Sequence, residues 1–262
     1  AFRTRTRSVS RADRLLILGG TGEARELAAE ATGAGIPTIS SLAGRVRNPR
    51  LPVGEVRIGG FGGTEGLRSW CADNGIGVVV DATHPFAATI TAHAVAATRA
   101  LDLPLLRLRR AAWTPGPGDR WTRVADIDAA AGAIGTSHPR VLLTTGRQDV
   151  GAFAGVDTAW FLIRVVDPPT AALPPHHEIL RSRGPYELAG ERQLLHDNRI
   201  DVLVTKNSGG ALTHAKLDAA RELGVEVIMV DRPAEPDGLD TVSEVADAMT
   251  WLRRKFPTPG PR

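Results

Sequence analysis

The sequence predicts an α/β protein made of two doubly wound parallel-sheet domains facing each other across a cleft. Three observations carry this expectation. Short β-branched or leucine-rich runs alternate with helix-forming segments along nearly the whole chain, and glycine-rich turns follow several of those runs. A stretch rich in proline and glycine, residues 113–121, then splits the alternation into two similar series. At 262 residues the chain is long enough for two such domains.

The first series opens with the apolar run 15–18, which breaks into Gly19-Gly20-Thr21-Gly22 and at once into the helix-forming segment 23–31. A buried strand, a tight turn and a helix open a Rossmann-like nucleotide unit, because glycines let backbone N–H groups approach a pyrophosphate and the helix N-terminus attracts it. Arg25 stands where the usual third glycine belongs, so the turn alone also fits simple strand–helix packing. Residues 36–40 read as a second strand. Its end carries Ser40, Ser41, Gly44 and Arg45 in place of an acid, which suits the 2′-phosphate of NADP(H) better than the free ribose of NAD(H). Arg45 is otherwise a solvated loop arginine.

A third strand at 56–58 leads into Gly59-Gly60-Phe61-Gly62-Gly63, a loop that permits close approach to a ligand with Phe61 as a stacking face. A helix follows at 64–74, with Cys71 as a small packed residue. The β-branched run 77–80 reads as a central strand. It delivers Asp81-Ala82-Thr83-His84-Pro85-Phe86-Ala87 to the carboxyl edge of the sheet, where ligands of open α/β folds sit. His84 is either a site residue or a structural histidine. A helix to about residue 100 and a strand at 103–108, ending in Arg107, Arg109 and Arg110, close the first domain.

The second series has a helix at 126–134, strands at 141–145 and 160–166, and a proline-rich loop to residue 175. The segment 179–186 leads into a helix at 187–197. A buried strand at 202–205 ends in Lys206-Asn207-Ser208-Gly209-Gly210, and a helix (213–223), a strand (225–230) and a last helix (242–256) follow. Residues 14–112 are thus expected as one domain, 113–122 as a linker and 123–256 as the second domain. The arginine-rich residues 1–13 read as a disordered extension and 257–262 as a loose tail.

Composition excludes several classes. A single cysteine rules out an internal disulfide and a cysteine-based zinc site, and suits a reducing compartment, the cytoplasm. No apolar run approaches the ~18–20 residues of a membrane span. The formal charge of +3 fits an anionic ligand, whereas the few aromatics are not interleaved with basic residues as nucleic-acid binding would ask. The one tyrosine, Tyr186, is followed four positions later by Gly190, so the Tyr-x-x-x-Lys pair of short-chain reductases is absent. No Gly-x-Ser-x-Gly elbow supports a hydrolase.

Seven ordered segments carry a more specific signal. They are Gly19-Gly20-Thr21 with Glu23-Ala24, Ser41-Leu42-Ala43-Gly44-Arg45, Gly59-Gly60-Phe61-Gly62, Asp81-Ala82-Thr83-His84-Pro85-Phe86-Ala87, Gly146-Arg147, Gly184-Pro185-Tyr186 and Thr205-Lys206-Asn207-Ser208-Gly209. Together they resemble the precorrin-6A reductase family of cobalamin (corrin ring) biosynthesis, over nearly everything from Arg14 to Phe256. The resemblance implies two Rossmann-like halves holding NADPH and an anionic tetrapyrrole, and metal-free reduction of one ring double bond of precorrin-6A to give precorrin-6B. A cytoplasmic monomer or weak homo-oligomer that hands its product to neighbouring pathway enzymes is also expected. The arginine-rich amino end departs from the family pattern.

Hydride transfer to such a ring also requires a proton. His84, Asp81 and Lys206 are the candidate proton donors, and an imidazole is the best matched to neutral pH. Gly20, Thr21, Gly22, Ser41, Arg45, Gly60 and Thr83 are expected around the cofactor. Phe61, Arg147, Arg183, Tyr186, Lys206 and Ser208 are expected around the substrate, with Arg109 and Arg181 as further carboxylate clamps. The rival from another class is a non-catalytic NADP(H)-sensing protein, which would need neither a proton donor nor a second cationic loop.

Overall fold

Side chains alternate along a strand, so Leu15 and Ile17 fall on one face of the first sheet and Leu16 and Leu18 on the other. All four are buried, which requires layers on both faces. The computed structural model describes residues 14–44, 49–137 and 139–256. The expected extension (1–13), the expected tail (257–262) and Arg45 lie outside the described residues.

The chain runs through β1 (Arg14–Leu18), α1 (Gly22–Gly33), β2 (Thr38–Leu42), β3 (Glu55–Ile58), α2 (Gly63–Asp73), β4 (Ile76–Asp81), α3 (Ala88–Leu101) and β5 (Leu105–Leu108). It continues through β6 (Trp121–Val124), α4 (Ile127–Gly132), β7 (Arg140–Leu143), a 3-10 turn (Val150–Phe153), β8 (Trp160–Val165) and β9 (His177–Arg181). Then come α5 (Leu188–Asp197), β10 (Val202–Lys206), α6 (Ala215–Leu223), β11 (Glu226–Val230), β12 (Thr241–Val242) and α7 (Val245–Lys255).

Two six-stranded parallel sheets result, ordered β12-β5-β4-β1-β2-β3 and β6-β11-β10-β7-β8-β9. On one face of the first sheet, Leu15, Ile17, Val78 and Val80 pack with Leu27, Ala28 and Ala31 of α1 and with Val245, Met249 and Leu252 of α7. On the other, Leu16, Leu18 and Val79 meet Leu67 and Cys71 of α2 and Ala94 and Ala97 of α3. In the second sheet, Leu142, Leu162, Leu203 and Val227 pack with Leu195 of α5 and Leu217 and Ala220 of α6. The α/β class and the Rossmann-like doubly wound sheets are as the sequence predicts.

The domain boundaries differ from the expectation. One compact unit takes the chain up to Arg110 and again from Ala234, and the other takes Ala111–Pro233. The closing segment therefore leaves the second half to which its position in sequence assigned it. The physical cause is the apolar stripe of α7, which completes the α1 side of the first core, while β12 pairs with β5. The equivalent edge place in the second sheet, beside β11, is filled by β6. The expected linker is also corrected: Trp113 is buried in the second core, and Trp121 begins β6.

Candidate active site

Every strand is parallel to its neighbours, so the carboxyl ends of each sheet form one edge. The first unit's edge begins at the glycine turn after β1. Gly20 has φ +116°, and a Cβ added there would meet no atom within 4 Å, which leaves an open cradle beside the start of α1. Gly19 lies closer in, with Leu42 and Ala24 about its position, so it serves packing. Thr21 caps α1, accepting from Ala24 N at 3.1 Å while its hydroxyl donates to the Ala82 carbonyl at 2.8 Å. One side chain thus fixes the helix start and the exit of β4 together. A backbone cradle without side chains at a helix N-terminus fits a dinucleotide pyrophosphate.

Asp81 ends β4 and is fully buried. Its Oδ1 accepts from Thr83 N (3.0 Å) and Thr83 Oγ1 (2.7 Å) and forms an ion pair with Arg107 Nη1 (3.0 Å), and its Oδ2 accepts from Thr91 Oγ1 (2.6 Å). Arg107 is itself 1% exposed and also donates to the Asp81 and Thr83 carbonyls, each at 3.1 Å. Its Nε reaches Glu235 at 3.1 Å, and Glu235 also pairs with Arg109 at 3.2 Å. Asp81, expected as a candidate proton donor, is thus already engaged by Thr83, Thr91 and Arg107. A sealed carboxylate neutralised by a guanidinium holds the loop and has no face for a substrate. Thr83 is spent in the same network rather than presented to a cofactor, and Arg109 is paired with an acid of its own unit.

What that network positions is His84. The ring is half-buried, and its Nδ1 accepts the Phe86 backbone N–H at 3.2 Å. A ring that accepts at Nδ1 carries its proton on Nε2, and it must take up a second proton before it can act as an acid.

At the exits of β2 and β3 the structure brings forward a residue the sequence reading passed over. Arg57 sits opposite Ser41 in the strand register. Its Nη1 donates to Ser41 Oγ (3.3 Å) and the Gly59 carbonyl (2.5 Å), and Nη2 donates to the Gly60 carbonyl (2.7 Å). The guanidinium lies 3.8 Å over the Phe61 ring, whose edge meets Trp70. The stacking partner of Phe61 in this structure is therefore an arginine. Partial burial, with no carboxylate paired to it among the described residues, pushes the Arg57 pKa down. Gly66 makes room for the loop, since a Cβ there would sit 1.7 Å from the Phe61 carbonyl oxygen. The sequence signal was available as Arg57-Ile58-Gly59-Gly60-Phe61, a cation leading into a glycine loop.

The second unit's edge gathers Arg147, Tyr186, Arg183, Lys206 and Ser208, each just beyond or at the end of a strand. Lys206 Nζ is 2.6 Å from Asp149 Oδ2, with both side chains partly open to solvent. Asn207 clamps Trp113 by accepting its N–H at 2.8 Å and donating to its carbonyl at 2.9 Å. Arg232 donates to the carbonyls of Asn207 (2.8 Å) and Ser208 (3.2 Å). Tyr186 lies under the Arg164 guanidinium at 4.0 Å, and Arg164 is locked by Glu191 at 2.5 Å. Arg147 is half-buried, while Arg183 and Arg181 are exposed. Among the described residues no three His, Cys, Asp or Glu side chains are grouped to hold a metal, and no helix is long and apolar enough to cross a membrane.

Comparison with known proteins adds three findings. The family model described as precorrin-6x reductase CbiJ/CobK matches residues 14–253. A precorrin-6A reductase of Rhodococcus erythropolis is 54% identical over 240 residues, covering 91% of this chain and 97% of that protein, and one from Mycobacterium tuberculosis is 53% identical over the same length and coverage. A cobalt-precorrin-6A reductase of Priestia megaterium is 28% identical over 251 residues, covering 90% and 97%. A solved structure of CobK precorrin-6A reductase superposes with a TM-score of 0.89 at 42% identity, covering 94% of this chain and 98% of that one.

Proposed function

The chain belongs to the precorrin-6x reductase family, oxidoreductases of cobalamin biosynthesis, and from that premise we propose that it reduces one ring double bond of metal-free precorrin-6A with NADPH, giving precorrin-6B. The observation that carries this is 54% identity across 97% of a precorrin-6A reductase, against 27–30% for relatives named for the cobalt-containing substrate.

Bound NADPH supplies the hydride. The chain's residues supply the rest. Gly20, Thr21 and Gly22 hold the pyrophosphate at the start of α1, and Ser41, Gly60 and Arg45 receive the adenosine end. His84 delivers the balancing proton as its imidazolium, a form that it reaches by taking up a proton and giving up the acceptor bond at Nδ1. Lys206, Arg147, Arg183 and Ser208 counter the carboxylates of the macrocycle, and Tyr186, braced by Arg164, offers it an edge of defined position. Asp81, Thr83 and Arg107 keep the His84 loop in place. The enzyme acts in the cytoplasm as a monomer or weak homo-oligomer and releases its product to the next enzyme.

The test is anaerobic incubation of the protein with precorrin-6A and NADPH, following loss of the nicotinamide absorbance. One NADPH oxidised per precorrin is expected, with slower turnover of the cobalt form. His84→Asn is expected to lower kcat about 10²-fold with NADPH affinity unchanged, the usual scale of a lost general acid. NADPH binding without oxidation would move the chain to a sensing role, and full kcat in His84→Asn would assign the proton elsewhere.

A further inference from the structure

The network around Arg57 contains an arithmetic remainder. A guanidinium has five N–H donors. Three are engaged: two on Nη1, by Ser41 Oγ and the Gly59 carbonyl, and one on Nη2, by the Gly60 carbonyl. Among the described residues, the Nε–H and one N–H of Nη2 are left. Those two nitrogens share an edge of the planar group, and an edge with two parallel N–H bonds is the geometry that takes a phosphate in bidentate fashion. The plane cannot swing away, because Phe61 lies 3.8 Å beneath it and the loop carbonyls hold its other edge. No carboxylate pairs with it among the described residues, unlike Arg107, Arg109 and Arg110 of the same unit, each of which has a Glu or Asp partner.

Position narrows the anion. Arg57 sits beside Ser41 at the end of β2, the place where a Rossmann-like unit meets the ribose hydroxyls of its nucleotide. The Ser41 oxygen accepts from Arg57, which leaves the hydroxyl hydrogen for an oxygen of the same anion. A would-be Cβ at Gly59 or Gly60 meets no atom within 4 Å, so the loop backbone crowds nothing at that point.

We propose that Arg57, with Ser41, holds the 2′-phosphate and is the residue that sets the preference for NADPH over NADH. This rests on the NADPH reading above and adds to Arg45 a second cation whose geometry is fixed in advance. Phe61 serves as the platform for that cation. Lysine can replace it only in part, because an ammonium keeps the charge but offers neither the planar fork nor a face to stack.

The test measures binding, apart from turnover. Calorimetric titration of the full chain with 2′,5′-ADP and with 5′-AMP compares two nucleotides that differ only in the 2′-phosphate. The wild-type chain is expected to prefer 2′,5′-ADP at least tenfold. Arg57→Ala is expected to lose about ten- to a hundredfold toward 2′,5′-ADP and no more than about twofold toward 5′-AMP, the scale of a charge-assisted bidentate contact. Arg57→Lys is expected to recover only part of the preference, and the salt dependence of 2′,5′-ADP binding should weaken in Arg57→Ala. Equal losses toward both nucleotides would make Arg57 a mere brace of the glycine loop and overturn the proposal. So would an unchanged preference in a wild-type-like Arg57→Ala. A wild-type chain that does not distinguish the two nucleotides would overturn the NADPH reading along with it.

Discussion

The loop after β4 and the loop after β10 occupy the same place in their two sheets, and both are tied down by an arginine donating to backbone carbonyls. Arg107 takes the carbonyls of Asp81 and Thr83, and Arg232 takes those of Asn207 and Ser208. The strand ends differ in sign. β4 ends in an acid sealed against Arg107, whereas β10 ends in a lysine that shares Asp149 at a partly open surface. The first unit pairs its charges internally and so fixes the loop that carries His84. The second locks its loop with a neutral amide, Asn207, and leaves its cations outward of the core. Burial of the ion pair, rather than its mere presence, separates a device for rigidity from a surface suited to an anion.

The largest effect should come from breaking the buried pair. Arg107→Met strands the fully buried Asp81 without a cation and leaves Glu235 only Arg109, and removing one partner of a buried pair typically costs about 3–5 kcal/mol. Lys206→Met removes an ion pair of similar length from a partly solvated place and should cost no more than about 1 kcal/mol, with its consequence in substrate affinity instead. Urea unfolding of the two variants measures the difference. Equal shifts in midpoint would dissolve the distinction between the loops.

A second contrast uses glycines. Gly209 has φ +67°, and a Cβ there would stand 2.1 Å from the Ala111 carbonyl oxygen and 2.5 Å from Arg232 Nη2. Gly209→Ala therefore combines left-handed strain with a backbone clash and should cost about 2–4 kcal/mol. Gly20→Ala meets strain alone, about 1–2 kcal/mol, because the space beside it is open. Its methyl group would enter the nucleotide cradle, so NADPH affinity should fall further than stability does. Thermal unfolding alongside NADPH titration separates the two outcomes, and a Gly20→Ala protein with full NADPH affinity would remove the cradle from the cofactor site.

The central strands were legible in the sequence because burial on both faces makes them continuous apolar runs, as in β1, β4 and β10. Edge strands write no such run. β9 is largely exposed and β12 is two residues long, so neither stood out from loop. The membership of α7 was hidden for another reason: its stripe of Val245, Met249 and Leu252 states that a core is needed, and only packing decides which. At the site, position at a strand end marked the loops but not the state of their residues. Asp81 looked like chemistry because its partner lies 26 positions on, where any of Arg107, Arg109 and Arg110 could have been the buried one. Arg57 looked like an ordinary strand residue because its meaning comes from a lateral neighbour, Ser41, and from a ring four positions ahead.

The smallest effect concerns the helices behind the two loops. α2 buries Leu67 and Cys71 one turn apart, and α5 buries Glu191 and Leu195 with the same spacing. The second unit thus places an ion pair with Arg164 where the first places only apolar or neutral groups. Burial raises the Cys71 thiol from its ordinary value near 9 to about 11. The folded state therefore keeps a proton that the unfolded chain loses first, so Cys71 favours folding below pH 9 and progressively less as pH rises toward 11. A shift of that size corresponds to about 2–3 kcal/mol across the window. Cys71→Ala should be less stable at pH 8 by about 1 kcal/mol, for the lost packing of one sulfur, yet should show a flatter decline above pH 9. Stability followed by urea midpoint from pH 8 to 11 in both proteins isolates this from the other groups that titrate there. Parallel curves would mean that the interior beside α2 is open enough to hydrate a thiolate.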